Sequence, residues 1–286
     1  MSRLREQFSR RLNESPPLMV PLCLDALTAR LLHELGFPAG YVSGGALGFS
    51  HAVSEALLTL SEIVDTTRHI TARSALPIVV DGGVGFGDAV HVARTIWEVE
   101  ASGAVAIEIE DQVAPKRVSH HRGIEHLISC DAMIAKIEQA VSARQDSGFL
   151  IIARTGAVRN ESFAAAVDRA NAYADAGADV IMLMPQQQDE WRQAPQSITA
   201  PLAAITSLDA RTADEWRELG WSLIIDPFTA QAACIDLLRK MYGSFAETGS
   251  TGMPRNEIMA SYRALQQYAG LNELYRIEDE TTEKAT

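Results

Sequence analysis

The sequence lacks the features of several protein classes. None of its apolar runs approaches the ~18 residues that a membrane-spanning helix needs. It has only three cysteines, Cys23, Cys130 and Cys234, and their wide spacing fits neither a metal motif nor a disulfide framework. Residues 1–17 are charged and lack the apolar centre of a secretory signal. These absences predict a protein of the reducing cytoplasm without a membrane segment.

An excess of positive charge is also absent. The chain has 25 Lys and Arg against 37 Asp and Glu, a net charge of −12. Because a nucleic-acid surface shows clustered positive charge, nucleic-acid binding is not expected. No GxGxxG or GxxxxGK(S/T) loop follows an early apolar run, which disfavours a nucleotide-binding sheet.

Eight short apolar runs alternate with helical patterns along the chain. Each run is apolar throughout, which is typical of parallel strands covered on both faces. The predicted strands are Met19–Leu24, Ala39–Ser43, Ile78–Asp81, Val105–Ile109, Phe149–Ala153, Val180–Met184, Leu202–Ile205 and Leu223–Ile225. This alternation predicts an α/β protein with a (β/α)8 TIM barrel, with an open doubly wound sheet as the alternative.

The helical patterns start at Asp or Thr and stop at Gly, as helix caps do. The predicted helices are a polar one within residues 1–17, then Asp25–Leu35, Asp88–Ser102, Asp131–Arg144, Glu161–Ala176, Ala213–Leu219, about Asn256–Tyr268 and Leu271–Ile277, before a polar tail, Glu278–Thr286. Since no repeat or linker is visible, we expect a single domain over residues 1–286. Its barrel would cover about 18–245 and its C-terminal helical segment about 255–278.

Acidic side chains crowd the ends of two neighbouring predicted strands. Asp81 ends the third strand, and Glu108, Glu110 and Asp111 end the fourth, with Asp111 facing away from the other two. A buried charge needs a partner, a hydrogen bond or a metal, and barrel chemistry sits at the C-terminal ends of strands. Asp81 and an inward Glu110 therefore predict a Mg²⁺ site. The alternatives are a helix cap at Asp81 and ion pairs between the other acids and nearby Lys or Arg residues.

Basic and hydroxyl groups follow other strands at the same edge. Lys116 and His120 lie on a basic loop that is either a flap over an anionic substrate or a solvated charged loop. The planar guanidinium of Arg154 suits a substrate carboxylate, and the alternative is that it pairs with Glu110. Ser43-Gly44-Gly45 is either an anion cradle or simply a tight turn.

These motifs, in this order, resemble the isocitrate lyase and phosphoenolpyruvate mutase superfamily. The resemblance extends from Asp25 to about Tyr268. The matching segments are Asp25–Arg30, Tyr41–Gly45, Asp81–Gly87, Ile109–Gln112 with Pro115–Arg117, Ala153–Thr155 and Ala174–Asp179.

The resemblance implies a helix-swapped (β/α)8 barrel that binds Mg²⁺, or Mn²⁺, and acts on 2-oxo or 2-hydroxy carboxylates through an enolpyruvate-like intermediate. It also implies a homodimer or homotetramer in which the last helix packs on a neighbouring subunit, and a gating loop from Pro115 to His126. The implied roles are metal binding by Asp81 and Glu110, substrate binding by Tyr41, Ser43, Gly44, Gly45 and Arg154, and catalysis by Lys116, His120 and Arg154.

The chain departs from the family pattern at several acids. Gly83 replaces the second acid of the family's Asp-x-Asp, Gly156 replaces the acid of Arg-Thr-Asp, and Val53-Ser54 stands where the family has Pro-Asp. With about three carboxylates missing, metal binding is expected to depend more on substrate oxygens. Val118 replaces the cysteine acid of the isocitrate and methylisocitrate lyases, which disfavours a tricarboxylate substrate.

These observations predict a metal-dependent lyase that cleaves or decarboxylates an oxaloacetate-like or substituted malate-like acid. Lys116 or His120 would then transfer protons. One alternative is a mutase or hydrolase that acts on the C–P bond of phosphonopyruvate-type substrates. Another is a barrel that has lost catalysis and only binds a ligand.

Overall fold

The computed structural model describes residues 2–282, and eight parallel strands form its centre. The strands are β1 (Leu18–Pro21), β2 (Gly40–Val42), β3 (Ile78–Asp81), β4 (Ala106–Glu110), β5 (Leu150–Arg154), β6 (Val180–Met182), β7 (Leu202–Ile205) and β8 (Leu223–Asp226). Their order is β1-β8-β7-β6-β5-β4-β3-β2, and a bridge between Leu22 and Tyr41 joins the two ends. The predicted (β/α)8 barrel is therefore confirmed, with strand ends within three residues of those expected.

Helices follow the strands along the chain. They are α1 (Ser2–Glu14), α2 (Ala26–Glu34), α3 (Gly44–Ser50), α4 (Leu60–Thr71), α5 (Ala89–Ala101), α6 (Cys130–Ala143), α7 (Ala157–Asn160), α8 (Phe163–Asp175), α9 (Gln188–Ser197), α10 (Ala213–Leu219), α11 (Thr229–Thr248), α12 (Arg255–Ala269) and α13 (Leu271–Thr281). Asp25 and Thr212 cap α2 and α10 as predicted. Asp88, and not Asp81, caps α5, which removes the helix-cap explanation for Asp81.

The core of the barrel has two layers. One fills the interior between the strands, and the other lies between the strands and the surrounding helices. Phe8 and Leu12 of α1 belong to the interior layer. Arg5 is also buried, and donates to Ala104 O at 3.0 Å just before β4. The polar first helix is present as predicted, and one face of α1 packs at the end of the barrel where the strands begin.

The chain divides into two compact units, one up to Thr229 and one from Ala230. In the second unit, α12 and α13 correspond to the two helices predicted near the C-terminus. None of the residues of α11, α12 and α13 is buried, and they expose many large apolar side chains. The end of the predicted polar tail, residues 283–286, lies outside the described residues. Within residues 2–282, no helix is both long and apolar enough to cross a membrane.

Candidate active site

Three neighbouring strands end in charged side chains at one edge of the barrel. β3 ends at Asp81, β4 at Glu110 and β5 at Arg154. The parallel register places Asp81 beside Glu108, and Glu110 beside Arg154. Because the C-terminal ends of parallel strands meet at the same edge, the structure brings these predicted site residues together.

Asp81 is buried, and two backbone amides hold its carboxylate. Gly44 N–H donates to Oδ2 and Gly83 N–H donates to Oδ1, both at 2.9 Å. Burial, followed by the negative charges of Glu108 and Glu55, raises the pKa of Asp81 to about 7. The crowding of negative charge around this carboxylate favours the approach of a cation.

Glu108 is buried inside the barrel between a phenol and a guanidinium. Tyr41 Oη donates to its Oε2 at 2.5 Å, and Arg154 Nη1 donates to its Oε1 at 3.0 Å. Burial and nearby carboxylates raise the pKa of Tyr41, so that its hydroxyl stays a hydrogen-bond donor. Tyr41, a predicted substrate ligand, is itself 0% exposed and is linked to the site through Glu108.

Glu110 is 2% exposed and contacts a lysine on the following loop. Lys116 Nζ lies 2.5 Å from its Oε1, and Gln112 Nε2 donates to its Oε2 at 2.7 Å. Burial alone would raise the pKa of Glu110, but the positive charges of Lys116 and Arg154 lower it. Both oxygens of Glu110 therefore already have a partner, and a cation that binds here would share Oε1 with Lys116.

The loop after β4 folds back onto these acids. Lys116 Nζ lies 2.6 Å from Glu55 Oε1, and His120 Nε2 lies 2.5 Å from the same oxygen. Burial opposes protonation of both bases, but Glu110 and Glu55 raise the pKa of Lys116, and contact with Glu55 raises the pKa of His120. The two predicted proton carriers therefore lie in one group, whose carboxylates favour the protonated form of each.

A second contact fixes the outer part of the same loop. His121 Nε2 lies 2.9 Å from Ser54 Oγ, and its ring stacks on Phe49 with the centroids 5.7 Å apart. Both partners belong to the segment that follows β2. An inner ionic contact and an outer polar contact thus hold the loop against the segment that follows β2.

Glu55 corrects one expectation from the sequence. The family pattern at Val53-Ser54 predicts that an acid is missing after β2, yet Glu55 lies one residue later. It begins a 3-10 turn that Ser54 caps, and this turn carries the carboxylate to Lys116 and His120. Despite burial, these two bases lower the pKa of Glu55, so the acid is present and ionised.

The predicted cradle at Ser43-Gly44-Gly45 contacts acids. Ser43 Oγ accepts an N–H from the first turn of α3, so it caps this helix. A Cβ atom on Gly44 would lie 3.0 Å from Asp81 Oδ2, and one on Gly45 would lie 3.4 Å from Glu55 Oε2. Glycine at these positions therefore lets the two carboxylates approach the backbone.

Asp111 takes no part in this group. It faces the other side of β4, as the alternation of side chains predicts, and is fully buried. Its carboxylate accepts hydrogen bonds from Thr155 Oγ1, Gly156 N and Tyr173 Oη at 2.7–3.0 Å. Its ionic partner is Arg169 at 3.5 Å, and not one of the bases considered from the sequence. Asp111 therefore has a structural role.

Glu125 belongs to the site although no sequence motif marks it. Its Oε1 lies 3.8 Å from Arg154 Nη2, and Asn160 Nδ2 donates to its Oε2 at 2.9 Å. Burial raises the pKa of Glu125. No local signal marks this residue, because its position depends on how the loop folds over Arg154.

We refer to eight of these side chains as the charged cluster. Its acids are Glu55, Asp81, Glu108, Glu110 and Glu125, and its bases are Lys116, His120 and Arg154. Within residues 2–282, no group of three or more His, Cys, Asp or Glu side chains is arranged to hold a metal ion by itself. Mg²⁺ needs only one or two carboxylates when water and substrate oxygens complete its shell. The acids of this cluster outnumber its bases, and their carboxylates supply the oxygen donors that such an ion prefers.

Comparisons with known proteins agree with this architecture. The family model described as phosphoenolpyruvate phosphomutase matches residues 8–246. A 2-methylisocitrate lyase from Aeropyrum pernix is 38% identical over 241 residues, which are 82% of this chain and 77% of the relative. A 2,3-dimethylmalate lyase from Eubacterium barkeri is 31% identical over 272 residues, which are 91% of this chain and 92% of the relative.

A solved structure shows the same similarity in three dimensions. Phosphonopyruvate hydrolase in complex with oxalate and Mg²⁺ superposes with a TM-score of 0.86 at 26% identity. The match covers 98% of this chain and 99% of the hydrolase. The similarity thus includes nearly the whole of both chains.

Proposed function

The chain belongs to the isocitrate lyase and phosphoenolpyruvate mutase superfamily, and we propose that it is a divalent-metal-dependent carbon–carbon lyase or decarboxylase. Its substrate would be a 2-oxo or 2-hydroxy dicarboxylic acid, similar to oxaloacetate or to a substituted malate. The observation that carries this proposal is the meeting of Asp81 and Glu110 with the Arg154 guanidinium at one end of the barrel. Such a site combines carboxylate oxygens that can bind a cation with a planar guanidinium that can bind a carboxylate.

Asp81 and Glu110 are the residues that would hold Mg²⁺, or Mn²⁺. Asp81 is already oriented by the amides of Gly44 and Gly83, and Glu110 is buried at the end of the adjacent strand, with its Oε1 2.5 Å from Lys116 Nζ. When bound, the ion would stabilise the negative charge that develops on a substrate oxygen as the carbon–carbon bond breaks.

Arg154 would bind a carboxylate of the substrate. Its side chain is 15% exposed, and its Nη1 is already occupied by Glu108 at 3.0 Å. A planar guanidinium has five N–H donors, so it can hold Glu108 and a substrate carboxylate at the same time. Ser43, Gly44 and Gly45 lie beside Asp81 and Glu55, where they would contact the same end of the substrate.

His120 is the better candidate for proton transfer, and Lys116 for a fixed positive charge. Cleavage of the bond leaves an electron pair on carbon, and this carbon must take up a proton. The pKa of His120 is raised from an ordinary value close to neutrality, which suits a general acid. Lys116 contacts two carboxylates at 2.5 and 2.6 Å and holds its proton more firmly. Closure of the loop would also exclude water from the reaction.

The activity can be tested with a panel of acids. Purified protein with Mg²⁺ would be incubated with oxaloacetate, malate and alkyl-substituted malates, and the products identified by NMR. The proposal expects a 2-oxo acid that forms faster than in a metal-free control with chelator. If no member of the panel yields a 2-oxo acid, the proposal is wrong.

A C–P bond enzyme is the second candidate. It is favoured by Val118, which stands on the loop at the position of the lyase cysteine and is 54% exposed. It is also favoured by the similarity to phosphonopyruvate hydrolase. Phosphate release from phosphonopyruvate in the same assay would support this candidate. Binding of oxalate without any turnover would support a barrel that has lost catalysis.

We further propose that the chain assembles as a homodimer or homotetramer through its C-terminal helices, in the cytoplasm. The support for assembly is the number of apolar side chains that these helices expose, including Tyr242, Phe245, Tyr262 and Leu265. A surface on which many large apolar side chains are exposed is typical of protein–protein contacts. The support for the location is that all three cysteines are free thiols.

A further inference from the structure

The turn that follows β3, residues 82–87, orients one of the two proposed metal ligands. Gly83 N–H in this turn donates to Asp81 Oδ1 at 2.9 Å. The first half of the turn is fixed to β4, because Gly82 and Gly83 form backbone hydrogen bonds with that strand at 2.8 and 2.9 Å. The direction in which the Asp81 carboxylate points therefore depends on the conformation of this turn.

The second half of the turn has a backbone conformation that costs free energy. Phe86 has a φ of +61°, in the left-handed region that residues with a side chain rarely adopt. Such a conformation persists only where the surrounding structure holds it in place. We therefore looked for the contacts that hold this half of the turn.

Two buried side chains from the outer helices hold it. Lys136 of α6 donates from Nζ to Val84 O at 2.9 Å, and Thr95 of α5 donates from Oγ1 to Gly85 O at 3.1 Å. The residues Lys136 and Thr95 are 4% and 0% exposed. The two carbonyls that they bind directly follow Gly83 along the chain. Both helices thus fix the turn from the side that faces away from the barrel interior.

The burial of Lys136 is costly, and its contact with the turn accounts for it. Within residues 2–282, Lys136 forms no ion pair, and Val84 O is the acceptor of its hydrogen bond. Burial lowers the pKa of this lysine, since the charged form loses its hydration. An ammonium binds a carbonyl more firmly than a neutral donor does. A strained turn that needs a firm contact is therefore a reason for a buried lysine here.

We propose that Lys136, together with Thr95, is a positioning residue for the divalent cation. The two side chains hold the turn in the conformation in which Gly83 N–H orients the Asp81 carboxylate, although neither belongs to the charged cluster. The inference rests on the proposed function, because it takes Asp81 as a ligand of the ion. It extends the metal site to two helices outside the ring of strands.

Substitution of Lys136 provides the first test. Mn²⁺ affinity, followed by electron paramagnetic resonance, should fall about tenfold in Lys136→Met, at the lower end of what loss of a group behind a metal ligand costs. Lys136→Arg should recover most of the affinity, because it restores a charged donor and a cavity of about 590 Å³ beside Lys136 has room for the longer side chain. Arg144→Met is the matched control and should bind Mn²⁺ as the wild type does. It removes a cation that donates to Phe149 O at 3.1 Å, just before β5 begins.

Hydrogen exchange of the metal-free proteins separates a positioning role from a general loss of stability. The amides of residues 82–87 should exchange faster in Lys136→Met than in the wild type, and at the wild-type rate in Arg144→Met. If Lys136→Met binds Mn²⁺ as tightly as the wild type, or if Lys136→Arg restores nothing, this inference alone is wrong. If the wild type itself binds no Mn²⁺, the proposed function fails and the inference fails with it.

A pair of threonines provides the second test, which does not depend on whether Lys136→Met folds. Thr95 and Thr67 are both 0% exposed, and each donates to the carbonyl four residues earlier in its own helix, at 3.1 and 2.8 Å. Thr95 also donates to the turn, whereas Thr67 lies on α4 and donates within that helix. Mn²⁺ affinity should therefore fall in Thr95→Val and stay unchanged in Thr67→Val. Equal affinities in these two variants would contradict the inference.

Discussion

Arg154 and Glu108 form a buried ion pair across adjacent strands, with Nη1 and Oε1 3.0 Å apart. Their side chains are 15% and 1% exposed, so solvent screens this pair only weakly. Glu108 thus neutralises part of the charge of Arg154 before any ligand binds. A carboxylate that enters the site must share the guanidinium with Glu108.

Removal of the Glu108 charge should strengthen anion binding. In Glu108→Gln, Arg154 loses its closest negative neighbour, and oxalate should bind about tenfold more tightly in metal-free buffer, which is about 1.4 kcal/mol. Calorimetry would measure this. Glu98→Gln, on the outer helix α5 and paired there with Arg94, is the matched control and should have no effect. An unchanged oxalate affinity in Glu108→Gln would mean that Arg154 does not bind the anion.

Closure of the loop should depend on pH through His120. Contact with Glu55 outweighs burial and raises the pKa of His120 above its ordinary ~6.5. The stabilising contact is therefore present at low pH and is lost as the pH rises through this raised value. Hydrogen exchange of residues 116–124, corrected for the intrinsic effect of pH, should become faster above that point.

Two variants check the origin of this pH effect. In His120→Gln, the amides of residues 116–124 should exchange fast at every pH, without the rise in rate that the wild type shows. In His121→Gln this rise should remain, because His121 contacts Ser54 rather than Glu55. If the exchange rate of His120→Gln still rises with pH in the same range, a group other than His120 controls the closure of the loop.

Metal affinity should respond to charge at position 83. Gly83→Asp adds a carboxylate beside Asp81 in open space, and Asp tolerates the left-handed backbone better than most residues. Gly83→Asn has nearly the same shape and tolerance but no charge. Mn²⁺ binding, followed by electron paramagnetic resonance, should be roughly tenfold tighter in Gly83→Asp than in Gly83→Asn. Equal binding in the two would indicate that the ion lies away from Asp81.

Assembly should fail when charge is placed on the exposed apolar residues of α12. Tyr262 and Leu265 are 52% and 47% exposed, and burial of such residues between two copies would stabilise an oligomer. Sedimentation should show a dimer or tetramer for the wild type and a monomer for the double variant Tyr262→Asp with Leu265→Asp. Gln267→Asp adds charge at an exposed polar residue of the same helix and should keep the wild-type mass. A wild-type monomer would refute assembly through these helices.

The fold could be predicted because strands buried on both faces appear in the sequence as continuous apolar runs. All eight strands were found in this way, and Asp25 and Thr212 marked two helix starts. Helices α3, α4, α7, α9 and α11 are not in the predicted set, although Thr59 and Glu62 form a capping box that could have revealed α4. Burial of Arg5 was missed as well, because its partners lie far along the chain.

The candidate site was predictable where it depends on strand ends and not where it depends on loops. Asp81 and Glu110 come together because adjacent parallel strands end at one edge. Glu55 was missed because its place depends on contacts with Lys116 and His120, which no local pattern encodes. Lys116 and Arg154 do contact Glu110, as the ion-pair alternative predicts, whereas Arg169, the partner of Asp111, is too distant in sequence to be assigned.

Cleavage of a 2-alkylmalate in D₂O, in the presence of Mg²⁺, tests the proposed function most directly. When the carbon–carbon bond breaks, the 2-hydroxy carbon becomes the carbonyl of a 2-oxo acid, and the released two-carbon unit must take up one proton from the solvent side. NMR should therefore detect a 2-oxo acid and acetate that carries one deuterium, in equal amounts. Failure to form these products, together with phosphate release from phosphonopyruvate by the same preparation, would contradict a carbon–carbon lyase.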